Sequence, residues 1–319
     1  MVMASKNLIA VIGATGAQGG GLARSILADP EHRFTLRAIT RKPDGEAGRA
    51  LAAQGAEVVA ADLDDAASLT RAFTGAHGVF AVTNFWEHFS PERELAQAGN
   101  IARAAKAAGP AHVIWSTLED TRLKVPLSDS RMPTLMGRYK VPHFDAKGEA
   151  DALFSGLPTT LLRTSFYWEN LIHFGMGPRR DADEGLIFVL PMGDRKLPGI
   201  GVADIGACAY ALFRRGKPVI GQTVGIAGEH LTGAEMAAAL SRALGEPVRH
   251  VSMSFADYAA LGFPGADDLA NMFHYNHDFS AEFCASRPID RTRELHPGLQ
   301  SFSQWLKGKV QQLQVPAAA

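Results

Sequence analysis

An open, doubly wound parallel sheet with helices on both faces, followed by a smaller C-terminal α/β lobe, is the fold this sequence predicts. Three observations predict it. Strand-like and helix-like segments alternate through the first half of the chain. The strand segments are short continuous apolar runs, as expected where both sheet faces are covered. A glycine-rich turn joins the first strand to the first helix.

The elements follow in order. Leu8 to Ile12 is an apolar run that stops at Gly13 and reads as a buried strand. From Ala17 the pattern changes: Leu22, Ala23, Ile26 and Leu27 recur at helical spacing until Asp29-Pro30. Phe34 to Thr40, Glu57 to Ala61 and Gly78 to Thr83 are the next three strands. Ser90-Pro91 opens a long helix, because serine caps and proline is tolerated at the first helical position. Its buried stripe is Leu95, Ala98, Ile101, Ala102 and Ala105. His112 to Thr117 is a fifth strand, His143 to Phe154 a helix, and Thr159 to Arg163 a sixth strand. This order implies parallel pairing through right-handed crossovers. Ligands of such sheets sit beyond the carboxyl ends of the strands, near the switch point.

Beyond about Asn170 the rhythm loosens. Glu184 to Pro191 is expected as a strand, and Gly199 to Asp204 as a return to the sheet. Gln222 to Ile226 and Val248 to Met253 are further strands. Leu231 to Leu244 is an amphipathic helix, and Ser254 opens another. The expected division is a sheet domain over residues 1–170, with a returning segment near 199–228. Residues 171–198 and 229–319 form the smaller lobe, whose last residues, Val315 to Ala319, are expected to fray.

The 319 residues are 46% hydrophobic and 20% charged, which excludes disorder and collagen-like repeats as the main state. Lys+Arg total 32 against 33 for Asp+Glu, a net charge of −1. That balance excludes a general nucleic-acid coat and a polybasic membrane binder. Cys208 and Cys284 cannot build a disulfide framework, so a reducing, cytoplasmic setting is expected. No apolar stretch reaches the roughly 18 residues of a membrane span. Met1 to Asn7 leads into glycines rather than a signal-type core.

Gly13-Ala14-Thr15-Gly16-Ala17-Gln18-Gly19 has the spacing GxxGxxG between strand and helix. Glycine permits the turn, a bare backbone admits pyrophosphate, and the helix amides attract its charge. The context makes this a Rossmann-type dinucleotide loop. An acid at the end of the second strand would favour free ribose hydroxyls, and a base a 2′-phosphate. This chain has Arg41-Lys42, with no acid before Asp44, which selects NADP(H). Asp62 can accept from the adenine amino group while Leu63 packs its face; Asp64 or Asp65 caps the next helix. Thr83-Asn84 follows the fourth strand, where the chain passes the ribose and nicotinamide.

These residues resemble the NmrA-like family, an atypical branch of the short-chain dehydrogenase/reductases, and most closely its redox-sensor group. The carriers are GATGAQGG at 13–20, VTNFWE at 82–87, HFDAKGE at 143–149, FYWENL at 166–171 and LGFPGADDLANMF at 261–273. The likeness runs from about Leu8 to Leu306. The glycine motif is generic to the superfamily; the other four blocks in this order are specific. The resemblance implies an NADP(H)-binding Rossmann domain with a C-terminal lobe. It places Gly13, Ala14, Thr15, Gly16, Ala17, Gln18, Arg41, Asp62, Leu63, Thr83, Asn84, Lys147, Tyr167, Trp168, Glu169 and Asn170 at the cofactor. It implies either a sensor of the NADPH/NADP ratio acting through a protein partner, or an NADPH-dependent reductase.

Active short-chain dehydrogenases pair a tyrosine with a lysine four residues on. Here Tyr139, Tyr167, Tyr210, Tyr258 and Tyr275 are followed at that spacing by His143, Leu171, Arg214, Gly262 and Phe279. His143 stands where the tyrosine would precede Lys147. His143 and Lys147 are therefore the catalytic candidates, with Ser116 or Thr117 as a hydroxyl source. Without the tyrosine the sensor reading leads, and a homodimer or a protein partner is expected with it. The alternative is a reductase of a quinone or other conjugated carbonyl. Its flat apolar substrate would use the aromatics Phe85, Trp86, Phe166, Tyr167 and Trp168. His274 and His277 lack a ligand set, so no metal is expected.

Overall fold

A computed structural model describes residues 7–181, 185–313 and 315. Along the chain the first elements are β1 (Asn7–Ile12), α1 (Ala17–Leu27), β2 (Phe34–Thr40), α2 (Glu46–Ala53), β3 (Glu57–Ala60), α3 (Ala66–Phe73) and β4 (Gly78–Ala81). Next come α4 (Pro91–Ala108), β5 (His112–Thr117), α5 (Pro142–Ala150) and β6 (Thr159–Arg163). Then follow β7 (Phe166–Tyr167), α6 (Asn170–His173), β8 (Arg179–Arg180), β9 (Leu186–Val189), β10 (Leu197–Ile200), α7 (Val202–Arg215), β11 (Thr223–Gly225) and β12 (Glu229–Leu231). The chain continues with α8 (Gly233–Leu244), β13 (Val248–Val251), α9 (Phe255–Ala259), α10 (Ala266–Asp278), α11 (Ser280–Ala285), α12 (Ile289–Leu295) and α13 (Phe302–Lys309).

Two units divide these elements. The first holds the chain up to Asp120, Ala146–Arg163 and Ala203–Val224. The second holds Thr121–Asp145, Thr164–Val202 and the chain from Gly225 onward. The first unit is built on a seven-stranded sheet of order β11-β6-β5-β4-β1-β2-β3. Its pairs from β1 to β6 are parallel. The strand order reverses between β1 and β4, so the switch point lies beyond Ile12 and Ala81. One sheet face packs on α3, α4 and Phe154, with Val79, Ala81, Val113 and Trp115 fully buried. The other face carries α1 and α7. A Cβ at Gly206 would strike the Gly21 backbone, so these helices meet backbone to backbone.

Local chemistry explains the boundaries. The Ser90 side chain accepts from the Arg93 amide and Pro91 opens α4, which ends at Gly109 in the left-handed region. Asp65, not Asp64, caps α3 by accepting from the Ala67 and Ser68 amides. Thr232 and Glu235 form a reciprocal capping box at the start of α8.

One expectation is corrected. The segment at Gly199 does not rejoin the main sheet; β10 pairs with β7 and β12 in a separate three-stranded sheet of the second unit. Helix α7 supplies the return instead, because Ile205, Cys208, Ala209, Leu212 and Phe213 form a buried helical stripe. A third sheet has the order β13-β9-β8. Of the strand expected over 184–191, β9 is present and Glu184 lies outside the described residues. Residues 316–319 of the expected tail lie outside them as well. The second unit packs around Trp168, whose ring lies 5.4 Å from Phe302 and 6.0 Å from Trp305.

Candidate functional site

In the first unit the glycine turn has the geometry that a dinucleotide needs. Gly13 has φ +63°, a left-handed conformation, and its carbonyl accepts from the Gly16 amide at 2.8 Å. Gly16 precedes α1, and neither a side-chain cap nor an acidic first turn covers the helix amides. A Cβ at Gly19 would collide with the carbonyl oxygens of Ile12 and Gly13, so α1 sits directly on β1. Gln18 turns inward and accepts from the Ser116 hydroxyl at 2.8 Å.

Thr83 and Lys147, far apart in sequence, meet beyond the carboxyl end of β4. The Lys147 ammonium donates to the Thr83 hydroxyl at 2.6 Å and to its carbonyl at 3.2 Å. It also lies 5.1 Å above the Trp115 ring. The third partner is unexpected. Glu94 on α4 is 0% exposed, and its Oε1 lies 2.9 Å from Lys147 Nζ. The Thr83 hydroxyl donates to the same oxygen in a short bond. Burial pushes the Glu94 carboxyl pKa up, but the Lys147 charge and the donors from His88, Thr83 and Lys147 outweigh it, leaving it below the ordinary carboxylate range. Glu94 Oε2 faces His88 Nε2 at 3.4 Å. His88 Nδ1 accepts from the Ser90 amide at 3.1 Å, so a neutral ring carries its proton on Nε2, towards Glu94.

Around these groups the remaining expected residues differ in exposure. Arg41 follows β2 and pairs with the Glu87 carboxylate in a short ion pair between exposed side chains. Asp62 is exposed and accepts from the Asp64 amide at 2.9 Å; Leu63 packs partly against the core. Asn84 is exposed and precedes a 3-10 turn, Phe85–Glu87. The rings of Phe85, Trp86 and Phe89 pack edge to face there. Neither hydroxyl at the carboxyl end of β5 stands open. Ser116 is bonded to Gln18, and Thr117 donates to Asp151 Oδ1 at 2.6 Å. Trp115 Nε1 donates to the same oxygen at 3.0 Å. Desolvation nonetheless raises the Asp151 pKa to about 6.

In the second unit His143 is held by Asp268. Its Nδ1 lies 2.7 Å from Asp268 Oδ1, and its backbone amide donates to Oδ2 at 3.1 Å. A carboxylate only accepts, so Nδ1 carries the proton and Nε2 is the basic nitrogen of the neutral ring. Both side chains are buried. Tyr167 ends β7, and its hydroxyl is 3.5 Å from that of Thr164. Trp168 is buried, and Glu169 accepts from Trp305 Nε1 at 2.9 Å and from the Val202 amide at 3.0 Å. Asn170 begins α6. Trp168 and Glu169 thus hold the unit's own packing.

Sequence reasoning missed Glu94 and Asp268. A signal for Glu94 existed: it stands four residues before Ala98, in line with the apolar stripe of α4. Asp268 gave no such signal, because α10 is buried on most sides. Among the described residues no group of three or more His, Cys, Asp or Glu is arranged to hold a metal. His274 stacks on Phe255 instead. A cavity of about 210 Å³ beside Gly99, Arg103 and Leu157 lies at the amino end of β6, the wrong end for a cofactor. Cys208 is fully buried and desolvation raises its thiol pKa, which makes it inert.

The sheet, its switch point and the glycine turn define a Rossmann-type protein. Residues 5–306 match the model of the NmrA-like family, and the chain belongs to that family. The NmrA-like family domain-containing oxidoreductase FrzB of Cladobotryum sp is 29% identical over 307 residues, covering 89% of this chain and 88% of its own. The NAD(P)H azoreductase of Xenophilus azovorans is 31% identical over 272 residues, covering 83% and 84%. The crystal structure of NmrA, a negative transcriptional regulator, superimposes with a TM-score of 0.77 at 23% identity over 95% of both chains. The same regulator in complex with NADP gives 0.73 at 22% identity, again over 95% of both chains.

Proposed function

We propose that this protein binds NADP(H) on the first unit and reduces a flat, conjugated acceptor. The observation that carries the cofactor reading is the convergence at the switch point. A left-handed Gly13, uncapped α1 amides and the buried Lys147–Thr83 pair share one end of the sheet. Arg41 supports NADP(H) over NAD(H), since its guanidinium suits a 2′-phosphate in place of the Glu87 carboxylate. The left-handed Gly13 and the uncapped α1 amides support a pyrophosphate at this turn. Lys147 would hold the nicotinamide ribose, and the dinucleotide, when bound, supplies the hydride.

Reduction also needs a proton. His143, oriented by Asp268, is the candidate donor, with Nε2 as the atom that carries the proton in the imidazolium. The named relatives, an oxidoreductase and an azoreductase, support this direction. The aromatic turn at Phe85, Trp86 and Phe89 supports a flat partner.

A second reading is a sensor of the NADPH/NADP ratio that acts through a protein partner. One observation favours it. Glu94 compensates the charge of Lys147, and the Ser116 and Thr117 hydroxyls are bonded, so neither of these hydroxyls stands ready in place of the tyrosine. The test is NADPH consumption at 340 nm with a panel of quinones and azo dyes. Acceptor-dependent turnover that falls at least tenfold in His143→Ala supports the reductase. Tight NADPH binding without turnover supports the sensor.

A further inference from the structure

We propose that Glu94, through its ion pair with Lys147, sets the preference of this site between the oxidised and the reduced dinucleotide. The inference rests on the reading that NADP(H) binds with its nicotinamide beside Thr83 and Lys147. The two redox forms share every contact to adenine, phosphates and ribose. They differ by one positive charge on the nicotinamide ring. A fixed charge beside that ring therefore acts on the ratio of the two affinities, while the shared contacts cancel.

Two opposite charges meet at the site. Lys147 contributes one positive charge and Glu94 one negative charge, 2.9 Å apart. His88 approaches Glu94 from the far side at 3.4 Å, with its neutral-ring proton towards the carboxylate. Thr83 binds both members of the pair and Trp115 lies under Lys147, neither adding charge. Asp151 acts on Lys147 only at longer range. With His88 neutral the pair sums to zero, and an oxidised ring meets no net repulsion. Glu94 is fully buried, so water does not screen this compensation. A carboxylate that served only to fix the lysine would act equally on both redox forms.

The test compares dissociation constants for NADP+ and NADPH at pH 8.5 in the wild type, Glu94→Gln, Glu94→Asp and Lys147→Met. Glu94→Gln leaves Lys147 uncompensated. It is expected to raise the ratio Kd(NADP+)/Kd(NADPH) about tenfold. Glu94→Asp keeps the charge and holds the ratio within about twofold, whatever it does to each affinity. Lys147→Met leaves the carboxylate alone, still bonded by Thr83, and moves the ratio the other way. It tests the same charge if Glu94→Gln does not fold. Equal weakening of both forms in Glu94→Gln, or an unmoved ratio in Lys147→Met, overturns the proposal. A wild type that binds neither dinucleotide overturns the cofactor reading instead.

Discussion

Arg41 and Glu87 bear on the proposed phosphate contact at the scale of single residues. Their exposed ion pair contributes at most about 1 kcal/mol, so a 2′-phosphate can displace the carboxylate. Glu87→Gln is expected to tighten NADPH by up to about fivefold and to leave NADH nearly unchanged, read by fluorescence titration. Arg41→Ala should weaken NADPH about tenfold or more, because a charge-assisted contact is lost. Equal effects on both dinucleotides would remove Arg41 from the phosphate. Gly19 makes a different point. Its missing Cβ lets α1 touch β1, so Gly19→Ala should lower the melting temperature and weaken either dinucleotide together. The glycines and Arg41 were legible because their chemistry is local: a turn angle and a charge after a strand.

At the scale of elements, two groups with opposite acid responses meet at β5, one on the strand and one bonded to it. His112 is buried against Thr160, and desolvation lowers its pKa to about 4 from 6.5. The unfolded chain takes up that proton first, so this stability is present above pH 6.5 and is lost as pH falls towards 4. Asp151, which accepts from Trp115 and Thr117 of β5, has its pKa raised by burial from 3.8 to about 6. Here the folded chain holds the proton longer. Stability is greatest below pH 3.8 and declines as pH rises through 6. Each shift amounts to about 3 kcal/mol over its full span, and the two oppose one another between about pH 4 and 6. Asp151→Asn keeps the acceptor and removes one slope. It should raise the melting temperature at pH 7.5, leave it unchanged at pH 4, and make the wild type's acid-side loss steeper. His112→Gln should flatten that loss. Urea unfolding across pH 4–8 measures both. An Asp151→Asn protein less stable at pH 7.5 would show that the carboxylate is needed as an anion. Neither shift was legible in the sequence, since each depends on burial beneath another element.

For the whole molecule, ligand and core set the stability. A ligand that binds only the folded state stabilises by about 2.7 kcal/mol at a hundredfold excess over Kd. NADPH should therefore raise the melting temperature by several degrees, and more than NADH does at the same concentration. The second unit's core gives a separate check. Trp168 packs on Phe302 and Trp305, and Cβ atoms at Gly199 or Gly228 would strike its ring. Trp168→Ala should lose about 3–5 kcal/mol in urea unfolding. A loss under about 1 kcal/mol would mean that the ring is not a core anchor.

The sequence by itself determined the doubly wound sheet, the glycine turn and the absence of the tyrosine-lysine pair, whereas the place of the switch point came from the strand order. The first three follow from periodicity, turn chemistry and spacing, which act between neighbours along the chain. Tertiary structure alone decided that β10 joins a small sheet while α7 returns to the first unit. It alone decided that Asp268 orients His143, and that Glu94 rather than a catalytic partner sits on Lys147. The physical reason is the same in each case. A buried charge must find its counter-charge wherever the fold brings one, and residues 94 and 147, or 143 and 268, become neighbours only after the elements between them have packed.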